Sequence, residues 1–135
     1  MSDARSSSGA VNRPLSPHIQ IYRPLINMVM SILHRITGAA LYFGSLLLAL
    51  WLTAAAVGPD QFAFVNGIFS SLPGKIVLFG FTWALLHHMM GGIRHFIWDT
   101  CHGLDIASVK FLSTISGVVS VAATVGIWAA AYLAQ

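Results

Sequence analysis

Long apolar runs with polar ends set the plan of this chain. No Asp, Glu, Lys or Arg occurs from Ile36 to Pro59, from Ile76 to Ile93, or from Phe111 to Gln135. Each run is near or above the roughly 18–20 apolar residues that a membrane-crossing helix needs. Alternating short strands, the mark of a membrane barrel, do not occur in the pattern. It predicts an all-α membrane protein whose three transmembrane helices form a bundle, at about residues 27–57, 73–98 and 107–133. Residues 27–135 then form the anchor, and residues 1–26 an N-terminal arm that is disordered first and extended afterwards. The extended part reads RPLSPHIQIYRP, residues 13–24, where three prolines forbid a continuous helix. His18 within it is expected to be interfacial and structural. Between the first two spans, Phe62, Phe64 and Phe69 leave room for a short interfacial helix.

Composition narrows the class. The chain has 135 residues, 56% hydrophobic and 8% charged, against about 25% charged in soluble domains. No separate soluble domain is expected. The net charge is +3, and its distribution matters more than its size. Arg5, Arg13, Arg23 and Arg35 precede the first apolar run, Arg94 and Lys110 flank the second loop, and only Lys75 lies at the other end, with Asp60. The positive-inside rule places the N-terminus in the cytoplasm and the C-terminus outside. The basic excess is thus a matter of membrane topology, and no nucleic-acid partner is expected. Residues Met1 to Asn12 are Ser-, Gly- and Ala-rich and expected to be disordered. No apolar core follows the early arginines, so no signal peptide is expected; the Ser and Arg content weakly resembles a transit peptide, which Asp3 opposes. The lone Cys101 has no disulfide partner, and no C-x-x-C-H motif for covalent haem occurs.

The chemistry concentrates in LLHHMMGGIRHFIWD, residues 85–99. Ionisable groups at membrane depth are costly and invite a functional reading. His88 and His95 are two helical turns apart and share a face, with Gly91 and Gly92 between them. An imidazole, a glycine gap and a second imidazole suit a flat macrocycle laid against the helix. His87 points about 100° away. On the first span, Ser31, His34 and Arg35 fall at i, i+3 and i+4, converging on one face at the cytoplasmic edge. Taking the borders of the uncharged runs as depth markers sets His34 and Arg35 level with Arg94 and His95, and His88 about 10 Å deeper. His34 is then too shallow to oppose His88 across a haem, and a six-coordinate haem would need its second ligand from another chain. Arg94, His95, His34 and Arg35 remain as donors for propionates at the edge.

Spacing alone leaves other readings open. Arg35 can snorkel to the headgroups. His87 and His88 can satisfy helix neighbours or line an aqueous path. A small proton conductor is disfavoured, since no carboxylate falls inside a span. Ser113, Gly117, Ser120 and Thr124 read as a packing stripe, as do Ala40 and Gly44. Trp98, Trp128 and Tyr132 read as interfacial anchors.

Three segments, in order, carry a resemblance: RPLSPHIQIY (13–22), SILHRITG (31–38) and HMMGGIRHFIWD (88–99). The chain resembles the cytochrome b membrane-anchor subunit family of succinate dehydrogenase, complex II, from Arg13 to the end of the third span. The third segment is similar to that family's H-x-x-x-G-x-R-H signature followed by an acidic residue, with Gly-Gly at 91–92 where one glycine suffices. The resemblance implies haem b with His88 as an axial iron ligand, the other ligand coming from a second membrane-anchor subunit. It implies Ser31 and Arg35 at a ubiquinone site, His34 and Arg35 close to the haem propionates, and Arg94 and His95 supporting the haem. It also implies an iron–sulfur subunit and a flavoprotein subunit as partners, for the chain itself has no dinucleotide fingerprint and no cysteine cluster. The expected location is the bacterial inner membrane, in preference to the mitochondrial one. A quinol:fumarate reductase anchor and a haem-free membrane scaffold are the alternatives.

Overall fold

The computed structural model describes residues 14–134. Met1–Arg13, where the disordered segment was expected, and Gln135 lie outside the described residues. The described chain is helical, with no strand. Helix α1 is Ile26–Val57, α2 is Pro59–Ser70, α3 is Leu72–Asp99 and α4 is Ile106–Leu133. Three of these, α1, α3 and α4, are long and apolar enough to cross a membrane. The arm departs from the extended form expected for it. His18–Ile21 closes a 3-10 turn after Pro17, and the chain runs extended from Tyr22 into α1.

Sequence sets the helix ends. Gly58 turns the chain out of α1, and Pro59 opens α2, at a position whose N–H would go unpaired anyway. The Ser71 hydroxyl accepts from the Gly74 N–H at 3.3 Å to cap α3. Asp105 caps α4, its carboxylate accepting from the Ser108 N–H at 2.9 Å. That bond holds the Asp105 carboxyl below the usual carboxylate range.

Helix α3 packs against α1, α2 and α4. The interior inverts the pattern of a soluble core. Its buried hydrophobic residues are Ala54 and Ala84, whereas Thr37, His87, Arg94, Ser113, Ser116, Ser120 and Thr124 are buried polar ones. Large apolar side chains such as Phe43, Leu46 and Phe96 point outward. In lipid there is no hydrophobic drive between helices, so close backbone approach over small residues holds them together. The α4 stripe does this. The Ser120 hydroxyl donates to the Gly117 carbonyl at 2.8 Å, and the Thr124 hydroxyl to the Ser120 carbonyl at 2.7 Å. Their polar atoms are thereby satisfied within α4 while its surface stays flat. On α1, Gly44 gives way to the Phe81 ring of α3.

The tightest approach of one backbone to another at a glycine is at the α2–α3 corner, where Gly74 also meets the Ile68 carbonyl. A Cβ on Gly74 would come 2.7 Å from the Phe69 carbonyl oxygen and Cα, both backbone atoms. Gly74→Ala is therefore expected to open this corner and destabilise the fold by about 1–3 kcal/mol. Gly80→Ala, where a Cβ meets open space, is expected to be neutral. Thermal unfolding of the detergent-solubilised protein checks the pair; equal midpoints would refute the packing at Gly74.

Candidate functional site

Two faces of α3 carry its polar residues, about a third of a turn apart. His87 and Arg94 turn toward α4 and are each 4% exposed. His88 and His95 turn elsewhere, and His88 meets α1.

The α4-facing set pairs mostly within itself, leaving Arg94 Nε and the Ser113 hydroxyl buried without a partner among the described residues. The Ser120 hydroxyl has given its proton to Gly117, so it accepts from His87 Nδ1 at 3.3 Å. The Ser116 hydroxyl donates to the Ser113 carbonyl at 3.0 Å and accepts from the Arg94 guanidinium at 3.3 Å. The same guanidinium lies 5.2 Å from the centre of the Trp98 ring. These residues tie α3 to α4.

The α1-facing set is different. The His34 and His88 rings stack with centroids 3.9 Å apart and planes 9° from parallel. His95 stands 5.5 Å from His34 and 5.4 Å from Trp98, centroid to centroid. His88 Nδ1 is 3.1 Å from the His34 carbonyl oxygen. A carbonyl only accepts, so Nδ1 carries the proton and Nε2 keeps its lone pair. That is the tautomer of a metal-binding imidazole oriented by a backbone carbonyl. Two glycines make the arrangement possible. A Cβ on Gly38 would come 3.0 Å from His88 Cε1, and a Cβ on Gly91 would collide with the His34 ring. His34 Nδ1, buried there, has no hydrogen-bond partner among the described residues.

The level expected for His34 needs correction. It is not at the height of Arg94 and His95 but beside Gly91, deep enough to stack on His88, so His88 is not alone on this face. The error came from reading Arg94 as the edge of the span, whereas its charge is buried against α4. His34 still cannot oppose His88 across a flat ligand, for a reason other than depth: their rings touch, leaving no space between them.

Of the three polar residues expected to converge on α1, only His34 turns into the bundle. Ser31 and Arg35 are exposed. Arg94, grouped with them by sequence, sits on the other face of α3. Gly38 escaped notice in the sequence; its place one turn after His34 was the available signal. The two glycines of α3 also divide their work. Gly91 seats His34, while a Cβ on Gly92 would meet open space on the side of His88 and His95.

Comparison with known proteins decides the family. Residues 10–127 match the family described as succinate dehydrogenase/fumarate reductase transmembrane subunit. The chain belongs to this family. Its relatives agree. The succinate dehydrogenase cytochrome b556 subunit of Paracoccus denitrificans is 45% identical over 95 residues, covering 70% of this chain and 73% of the relative. That of Rickettsia felis is 36% identical over 116 residues, covering 86% and 90%. The mitochondrial cytochrome b560 subunit of Sus scrofa is 40% identical over 121 residues, covering 86% and 70%. The family match spans both the α1 and the α3 residues described above, so the paired histidines belong to the matched region.

The His34 seat is open to test. Gly91→Ala is expected to expel the His34 ring and cost about 1–3 kcal/mol of stability. His34→Ala in the same chain removes the clash and should recover most of the loss. A double mutant no more stable than Gly91→Ala alone, in thermal unfolding, would contradict the seat.

Proposed function

We propose that this chain is the haem b-bearing membrane anchor of a succinate:ubiquinone oxidoreductase, with His88 Nε2 as one axial ligand of the haem iron. The observation that carries this reading is the hydrogen bond from His88 Nδ1 to the His34 carbonyl, which leaves Nε2 as a free, oriented lone pair. The open side of Gly92, between His88 and His95, fits a flat macrocycle. His87 has the opposite character. It is buried against α4 and held by Ser120. The stacking of His34 on His88 supports a second ligand from another anchor subunit. Bound haem b supplies a one-electron centre whose potential its ligands and their partners tune.

The chain's own groups then have distinct tasks. The His34 carbonyl fixes the plane and tautomer of His88. His95 and Arg35 supply donors and positive charge to propionates at the rim, and His34 lies behind them. Arg94 adds its charge from the α4 side, held by Ser116. Ser31 and Arg35, exposed on α1, form this chain's share of the ubiquinone site. The Ser31 hydroxyl donates to a quinone carbonyl, and the Arg35 guanidinium stabilises the negative charge that develops as the quinone is reduced. Electrons reach this site from succinate through a flavoprotein subunit and an iron–sulfur subunit. The grouping of Arg23, Arg35 and Lys110 at one end supports placing that end in the cytoplasm, in a bacterial inner membrane.

Two experiments on the assembled complex test this. The reduced-minus-oxidised spectrum should show a b-type haem that His88→Ala abolishes and His87→Gln, which keeps a donor for Ser120, spares. An unchanged spectrum in His88→Ala would overturn the ligand. Ser31→Ala should lower quinone reduction about tenfold, the loss of one hydrogen bond of about 1.4 kcal/mol. Reduction of an artificial dye by succinate should persist in that variant, and equal loss of both activities would contradict a quinone role.

A further inference from the structure

Thr37 is 1% exposed on α1, and neither packing nor the histidine pair has yet given its hydroxyl a task. Inside a helix, a threonine hydroxyl turns back onto the carbonyls three and four residues earlier. Here those belong to His34 and Leu33. Thr37 Oγ1 lies 2.8 Å from the Leu33 carbonyl oxygen and 3.0 Å from that of His34. The His34 carbonyl is also the acceptor for His88 Nδ1, at 3.1 Å. Because it lies inside α1, the helical ladder brings it the Gly38 N–H as well. Three donors converge on an oxygen that has two lone pairs. Thr37 and His88 therefore compete for one acceptor, at a depth where water does not reach the hydroxyl. The helix itself does not need that hydroxyl, since the Leu33 carbonyl already takes the Thr37 N–H.

We propose that Thr37 is a positioning residue for the haem ligand: its hydroxyl shares the His34 carbonyl with His88 Nδ1 and so limits how strongly that carbonyl draws on the imidazole proton. The proposal rests on His88 as the axial ligand. The strength of the Nδ1–H···O bond sets the basicity of Nε2, and a more basic ligand favours oxidised iron. Thr37 thus holds the haem potential above the value that a carbonyl given wholly to His88 would impose. It acts through the α1 backbone, without touching the haem.

The test is a redox titration of the haem in the whole assembled complex, with haem content and thermal unfolding measured beside it. Thr37→Val keeps the branched shape and removes the hydroxyl. It should lower the midpoint potential, raising the oxidised-to-reduced ratio at fixed poise about fivefold, or about 40 mV at 59 mV per tenfold for one electron. Haem content should stay at the parent level. Thr37→Ser restores the hydroxyl and should return the parent potential. Thr37→Ser and Thr37→Ala repeat the comparison without the methyl group. An unmoved or raised potential in Thr37→Val, or the same shift in Thr37→Ser, would overturn the proposal. So would loss of haem from both hydroxyl-free variants, which would make the hydroxyl a part of the fold alone. His88→Ala keeps the two readings apart. A haem that survives it refutes the ligand, whereas haem lost in it with an unmoved potential in Thr37→Val refutes only the role of Thr37.

Discussion

One hydrogen bond joins the two halves of the site. His88 of α3 gives its Nδ1 proton to the His34 carbonyl of α1. Everything around it serves that contact. Gly38 lets the His88 ring reach the α1 backbone, and Gly91 lets the His34 ring lie against α3. The two rings then stack, so each fixes the plane of the other. In a medium without water, a polar group must find its partner inside the protein. This bond satisfies one imidazole nitrogen and leaves the other without a partner among the described residues.

The α3–α4 contact follows the same constraint with a different result. There, hydroxyls of Ser116 and Ser120 give their protons to their own helix and accept from Arg94 and His87. The two hydroxyls and His87 Nδ1 are paired, while Arg94 Nε stays buried without a partner among the described residues. So adjacent histidines, His87 and His88, have opposite fates. One is spent on helix packing, and the other keeps Nε2 without a hydrogen-bond partner among the described residues.

The three long helices were legible as gaps in charge, because a lipid-facing helix tolerates few ionisable residues. The α4 stripe was legible too, since small residues at helical spacing pack in lipid as they do here. Depth was not. Arg94 looked like a boundary marker, yet a guanidinium can be buried when a hydroxyl and an indole ring receive it. Once that marker moves, His34 comes level with the gap between His88 and His95. Nor does the sequence tell apart Gly91 and Gly92. One admits a ring of this chain and the other faces open space, and only the helix crossing decides which.

The central claim is that His88, oriented by the His34 carbonyl, offers Nε2 to a haem iron. A density map of the assembled complex, resolved well enough to orient imidazole rings, tests it most directly. The account predicts the iron on His88 Nε2, with Nδ1 still facing the His34 carbonyl and the porphyrin lying over Gly92. Iron on His87 or His34, or His88 Nε2 turned to a protein partner, would contradict it.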